Sequence, residues 1–118
     1  MTHERFQSTI DALNECATEC IHCANACLEE QDVKMLSRCI KLDFECADIC
    51  ILTAKMLAGD TEFHKEICEM CANICDTCAQ ECEKHSRTMD HCERCARVCH
   101  NCADECRTMI SEKSNVTV

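Results

Sequence analysis

Cysteine recurs in this chain at steps of three and four residues, and that spacing leaves few folds open. Cys16, Cys20, Cys23 and Cys27 form one group, and Cys39, Cys46 and Cys50 a second. Cys68, Cys71, Cys75, Cys78 and Cys82 form a third, and Cys92, Cys95, Cys99, Cys102 and Cys106 a fourth. In groups one, three and four the steps alternate strictly between 3 and 4. In group two they are 7 and 4, the same rhythm with one member missing. An alternation that averages about 3.5 residues is the seam of a helix packed in a bundle, whereas a strand needs steps of two. Each group is therefore one helix carrying one stripe of sulfur. Four stripes must converge on a common axis, because nothing else in the chain could bury them.

An internal repeat says the same. Residues 16–27 read CATECIHCANAC, residues 71–82 CANICDTCAQEC and residues 95–106 CARVCHNCADEC. All obey C-A-x-x-C-x-x-C-A-x-x-C, and the second group keeps the fragment CADIC at 46–50. Alanine after alternate cysteines sits about 100° round the helix, at the shoulder of the stripe, where a neighbouring helix can approach closely. It is also a good helix former, and both properties suit a bundle.

Composition narrows the choice further. The chain has 118 residues, enough for one domain over 1–118, with one Gly, no Pro, no Trp and no Tyr. An all-β fold would lack its turn residues. A net charge of −10, without a basic patch or stacking aromatics, disfavours nucleic-acid binding. No apolar window is long enough to span a membrane. Seventeen cysteines would ordinarily suggest a secreted disulfide scaffold. The count is odd, however, and residues 1–10 (MTHERFQSTI) hold no apolar stretch for a signal peptide. The expectation is a cytoplasmic protein with reduced thiols.

The spacing and turn residues predict an all-α, antiparallel up-down-up-down four-helix bundle with helices at roughly 4–28, 33–58, 61–84 and 89–111 and a tail over 112–118. Asp32 is a candidate N-cap, Gly59 the natural C′ residue, and Asp60 or Thr61 the cap of the third helix. At the end that holds the termini, Phe6, Ile10, Leu13, Leu57, Phe63, Ile67 and Ile110 are expected to seal the bundle, with Cys68 and Cys106 close to the plug. At the other end Met35, His85, Met89 and His91 line a mouth with softer donors. Core filling by Met and solvation of turn His are the competing readings. His3, His22, His64 and His100 are read as surface residues. Asp43 falls where the missing cysteine of group two would sit, either as a lone carboxylate in the lumen or rotated out.

Seventeen inward thiols are poorly explained as packing, since Ala, Val or Leu would fill the core without the oxidation hazard. Within a helix, neighbours on the stripe have Cβ atoms about 5–6 Å apart, too far for an unstrained disulfide at about 3.8 Å. Metal binding remains. A bacterial iron–sulfur run, C-x2-C-x2-C-x3-C-P, is absent. Structural zinc wants discrete tetrahedral quartets, and a continuous tube of thiols does not divide naturally into them. Cu(I) is soft, accepts two or three sulfurs, and cancels one thiolate per ion, so on the order of one ion per cysteine leaves the tube neutral. Burial should keep the empty thiols protonated and the bundle folded before metal arrives, with about one proton released per ion.

These residues resemble the bacterial copper storage proteins, specifically the cytosolic branch without an export signal. The resemblance runs from about Phe6 to Met109 and rests on the three repeats and the LDFECADIC stretch. It implies a four-helix bundle whose lumen holds multiple Cu(I) ions on all 17 cysteines, and homotetramers. It also implies that ions come in at the end away from the termini, with His85, Met89 and His91 as first contacts. The sequence departs from the pattern at Asp43. The expected partners are copper ions and a copper chaperone or copper-requiring recipient, with no nucleic acid and no membrane. No nucleophile–base–orienter set suggests an enzyme. The alternative is a metallothionein-like Zn(II)/Cd(II) buffer. A redox enzyme built on CxxC would need a βαβ context that is missing, and a copper chaperone would hold one ion on an exposed loop.

Overall fold

The structure, a computed structural model, describes the backbone of residues 6–116 and the side chains of residues 6–111. It contains α1 (Gln7–Leu28), a 3₁₀ turn (Val33–Leu36), α2 (Ser37–Ala58), α3 (His64–Glu83) and α4 (Asp90–Val116). Each helix buries a Cys/Ala face and turns most of its charged residues outward, so amphipathicity sets its orientation about its axis. The short connections at 29–36, 59–63 and 84–89 return the chain antiparallel. α1 packs against α2 and α4, and α3 against the same two, which closes a four-cornered bundle. Ala24, Ala79 and Ala103 are fully buried, and Ala17, Ala47, Ala72 and Ala96 are at most 5% exposed. The small shoulder residues thus lie in the helix–helix seams, where they allow close approach.

The helix ends depart from the sequence expectation in informative ways. The expected start at residue 4 lies outside the described residues. Residues 33–36 are 3₁₀ rather than α, and Asp32 makes no side-chain cap bond. α3 begins at His64 rather than 61, with Phe63 as its N-cap. Thr61 Oγ1 instead accepts the Phe63 N–H at 3.0 Å, tightening the turn before the helix. α4 begins at Asp90, and its helical backbone continues through Val116, into the segment expected as a tail.

Gly59 is not the left-handed residue after α2. Its φ is −89°, and Asp60 carries the positive φ of 55°. Thr61 N–H bonds to Met56 O at 3.1 Å and Asp60 N–H to Leu57 O at 3.0 Å. This is the double bond of a Schellman motif with Asp60 at C′, one residue beyond the glycine. Aspartate is among the few non-glycine residues that visit this conformation. A Cβ on Gly59 would meet only Met56 O at 3.6 Å and Lys55 O at 3.7 Å, ordinary contacts. Gly59→Ala is therefore expected to stabilise the metal-free protein by roughly 0.4–1 kcal/mol through the unfolded chain. Urea unfolding checks it, and a loss of stability would show that the turn needs the glycine.

The plug forms at the end with the termini. Phe6, Leu13 and Leu57 are at most 1% exposed, and Ile10, Ile67 and Ile110 pack against them. Phe63 does not join; it is 54% exposed, because it precedes the first helical residue and the helix period does not orient it. Met109, 3% exposed, fills in from α4. At the other end Leu36 is fully buried and Met35 is 53% exposed, the reverse of the expected inward methionine. The turn is 3₁₀, so the α-helical period that aimed Met35 inward does not apply there.

Candidate metal centre

All 17 cysteines are described, and every one is free and at 0% exposure. The four stripes meet in the lumen, where sulfurs from different helices come within hydrogen-bonding reach. Cys39 and Cys82 are 3.5 Å apart, Cys46 and Cys75 3.5 Å, Cys20 and Cys99 3.6 Å, Cys16 and Cys99 3.7 Å, and Cys50 and Cys75 3.7 Å. Disulfides need about 2 Å, so these are thiol contacts.

Sulfur quartets do occur. Cys16, Cys46, Cys50 and Cys75 lie within 4.8 Å of one another, as do Cys16, Cys20, Cys46 and Cys99. Cys20, Cys78, Cys95 and Cys99 form another, as do Cys50, Cys71, Cys75 and Cys102. Neighbouring quartets overlap, through Cys16 and Cys46, Cys20 and Cys99, or Cys50 and Cys75, although Cys16/Cys46/Cys50/Cys75 and Cys20/Cys78/Cys95/Cys99 share no member. Filling one quartet as a closed tetrahedral zinc site takes ligands from the quartets that overlap it, though not from the disjoint ones. Bridging sulfurs between two- or three-coordinate monovalent ions match the overlap.

Hydrogen bonding and burial set the protonation of the empty lumen. Cys20 and Cys99 are held far above the ordinary thiol range, first by bonds with Cys16 and also by desolvation. Cys50 and Cys106 are pushed up first through Cys102. Cys16 and Cys46, in the same network, are drawn the other way, Cys16 first by Cys102 and Cys46 first by Cys16. The described luminal side chains include no cation to support several thiolates at once. Burial opposes the charged form throughout the set, while the hydrogen-bond network raises some thiols and lowers others.

Asp43 points into this lumen at 0% exposure. Cys78 donates to its Oδ1 at 3.1 Å, Cys95 at 3.4 Å and Cys82 at 3.7 Å, while Cys39 approaches Oδ2 at 4.0 Å. Desolvation, then the neighbouring Cys95 and Cys39, push its carboxyl up to about 9, so it keeps its proton at neutral pH. The missing member of group two is thus an oxygen donor on the sulfur axis.

His85, Met89 and His91 lie at the end of the bundle away from the termini. Met89 packs against the core, and His85 and His91 have side chains only 12% and 13% exposed. His91 Nδ1 faces Cys23 and Cys92 at 3.6 Å each and Cys27 at 3.9 Å. With Cys39 added, Cys23, Cys27 and Cys92 form a further quartet. His85 Nε2 stands 3.5 Å from Glu81 Oε2 without forming a hydrogen bond. His22 is exposed, His64 is half-buried, and His100 is half-exposed between Asp76 and Glu83. His3 lies outside the described residues.

The sequence reading missed the glutamates that close a C-A-x-E-C stretch in each repeat, Glu19, Glu81 and Glu105. Glu81 bonds Arg38 of α2 at 2.6 Å, Glu105 accepts from Ser8 of α1 at 3.0 Å, and Glu19 faces Arg94 of α4 at 3.6 Å. Each ties its helix to a neighbour. Burial pushes Glu81 up, but bonds from Arg38 and Lys84 outweigh it and hold the carboxyl below its usual range. The signal was present in the repeat, as Glu in CATEC, CAQEC and CADEC.

A family model described as copper storage protein matches residues 2–111. The cysteine-rich protein YhjQ of Bacillus subtilis (strain 168) is 48% identical over 85 residues, spanning 72% of this chain and 77% of that one. The Cu(I)-bound copper storage protein BsCsp3 is 48% identical, with 89% of this chain and 97% of that chain covered and a TM-score of 0.84. A cytosolic copper storage protein from Streptomyces lividans, with five coppers, is 34% identical, with 92% and 94% covered and a TM-score of 0.85. Sulfur spacing, buried lumen and these likenesses agree, and the chain belongs to the copper storage protein family.

Proposed function

We propose that this chain stores multiple Cu(I) ions along its lumen, on the thiolates of the 17 cysteines, in the service of copper homeostasis and detoxification. The observation that carries the reading is the overlapping network of buried, free sulfurs. Each incoming Cu(I) displaces a thiol proton and bonds the thiolate, and bridging sulfurs pass the coordination to the next ion. One charge arrives for each proton lost, so the dry lumen stays near neutrality. His85, Met89 and His91 are the first contacts at the open end, and the plug of Phe6, Leu13 and Leu57 closes the other.

The role is binding rather than catalysis, and its site is the cytoplasm, in line with the cytosolic Streptomyces relative; no helix among the described residues is long and apolar enough to cross a membrane. The working form is a homotetramer. The surface of α2 supports this, with Phe44, Ile51 and Leu52 each 42–45% exposed. A chaperone or a copper-requiring protein takes up the stored ions.

Anaerobic titration of the reduced protein with Cu(I), against a competing chelator, tests the reading. Uptake on the order of one ion per cysteine is expected, with about one proton released per ion and helical circular dichroism unchanged from the start. One or two ions per chain would exclude storage. Titration with Zn(II) followed by Cu(I) addresses the buffer alternative, and zinc that Cu(I) fails to displace would favour it.

A further inference from the structure

We propose that Glu30 is a positioning residue for His91, fixing the tautomer that aims a nitrogen lone pair at the mouth thiols. The two residues come from adjacent helices at one end of the bundle. Glu30 lies in the turn after α1, held there by its N–H bond to Cys27 O at 3.1 Å. His91 is in the first turn of α4. Glu30 Oε2 is 3.3 Å from His91 Nε2, and Nδ1 on the other side of the ring faces the sulfurs of Cys23, Cys92 and Cys27.

A carboxylate can only accept, so the nitrogen facing it carries the proton. In a neutral imidazole the other nitrogen is then bare. Nδ1 thereby offers a lone pair to three thiols in the empty protein and to a soft ion among them in the loaded one. Without Glu30 the proton could sit on either nitrogen, and the Nδ1–H form would turn a donor toward the sulfurs. Carboxylates that orient ligating histidines in this way typically change metal binding by about 10–100-fold. One turn thus does two things: it ends the stripe of α1 at Cys27 and sets the acceptor that orients the ring above it.

The copper consequence rests on the storage reading, whereas the tautomer does not, so two measurements separate them. The first is long-range proton–nitrogen NMR of His91 in the full, reduced, metal-free chain near neutral pH. Wild type is expected to show a single Nε2–H tautomer, Glu30→Ala an averaged pair of nitrogens, and Glu30→Gln, which keeps an acceptor oxygen, the wild-type pattern. An unchanged tautomer in Glu30→Ala, or a doubly protonated ring in wild type, overturns the proposal. The second is the rate at which a chelated Cu(I) probe delivers its first ions. A fall of about 10-fold in Glu30→Ala, restored in Glu30→Gln, is expected. If the tautomer responds and uptake does not, Glu30 still positions the ring, and it is the copper role of His91 that fails.

Discussion

Replacing Asp43 by Asn is expected to stabilise the metal-free protein at neutral pH by about 2–4 kcal/mol and to flatten its dependence on pH. The cause is linkage. Burial raises the Asp43 carboxyl to about 9 in the folded protein, while the unfolded chain releases that proton near 3.8. Between those values the native state holds a proton that the unfolded state has lost. Its contribution to stability is therefore fully present below the unfolded value and is lost as pH rises toward the folded one. The slope is about 1.4 kcal/mol per pH unit. The side chains facing the carboxyl are the thiols of Cys39, Cys78, Cys82 and Cys95. Asn keeps an oxygen to accept from Cys78 and cannot ionise. Urea unfolding of reduced wild type and Asp43→Asn from pH 5 to 8 reads the difference. Parallel curves would show that Asp43 does not hold its proton inside the bundle.

The second large effect concerns the plug. The lumen is built of Cys and Ala, so the large side chains that are fully buried are few: Phe6, Leu13, Leu36 and Leu57 lead them. Leu13→Ala removes volume from a site at 0% exposure that rigid helices cannot easily collapse around. The expected loss is about 3–5 kcal/mol, a large share of the roughly 5–15 kcal/mol that holds a domain of this size together. Phe63→Ala is the control. It lies in the same region of the sequence pattern but is 54% exposed, and its truncation is expected to change stability by less than about 0.5 kcal/mol. Denaturant unfolding of the empty, reduced protein compares them. A cost below about 1 kcal/mol for Leu13→Ala would mean that the sulfur network, rather than the apolar plug, carries the fold.

Helix number, antiparallel order and an inward sulfur wall were all determined by the sequence, because each follows from local geometry. A cysteine every 3.5 residues has one face to occupy, and short connections leave one way to bring four such faces together. The same regularity put Ala in the seams. Tertiary structure decided what that period does not control. Asp43 sits on the stripe, yet whether a carboxyl is kept in a dry lumen depends on partners from other helices, here Cys78, Cys82 and Cys95. Met35 and Phe63 fell outside the helices that were to aim them, one in a 3₁₀ turn and the other before the first turn of α3. His91 gained its meaning from Glu30, 61 positions away along the chain, which meets it only because the two turns close the same end. Which sulfurs share a quartet was likewise set by the axial stagger of the helices, a property of packing between chain segments that no local spacing encodes.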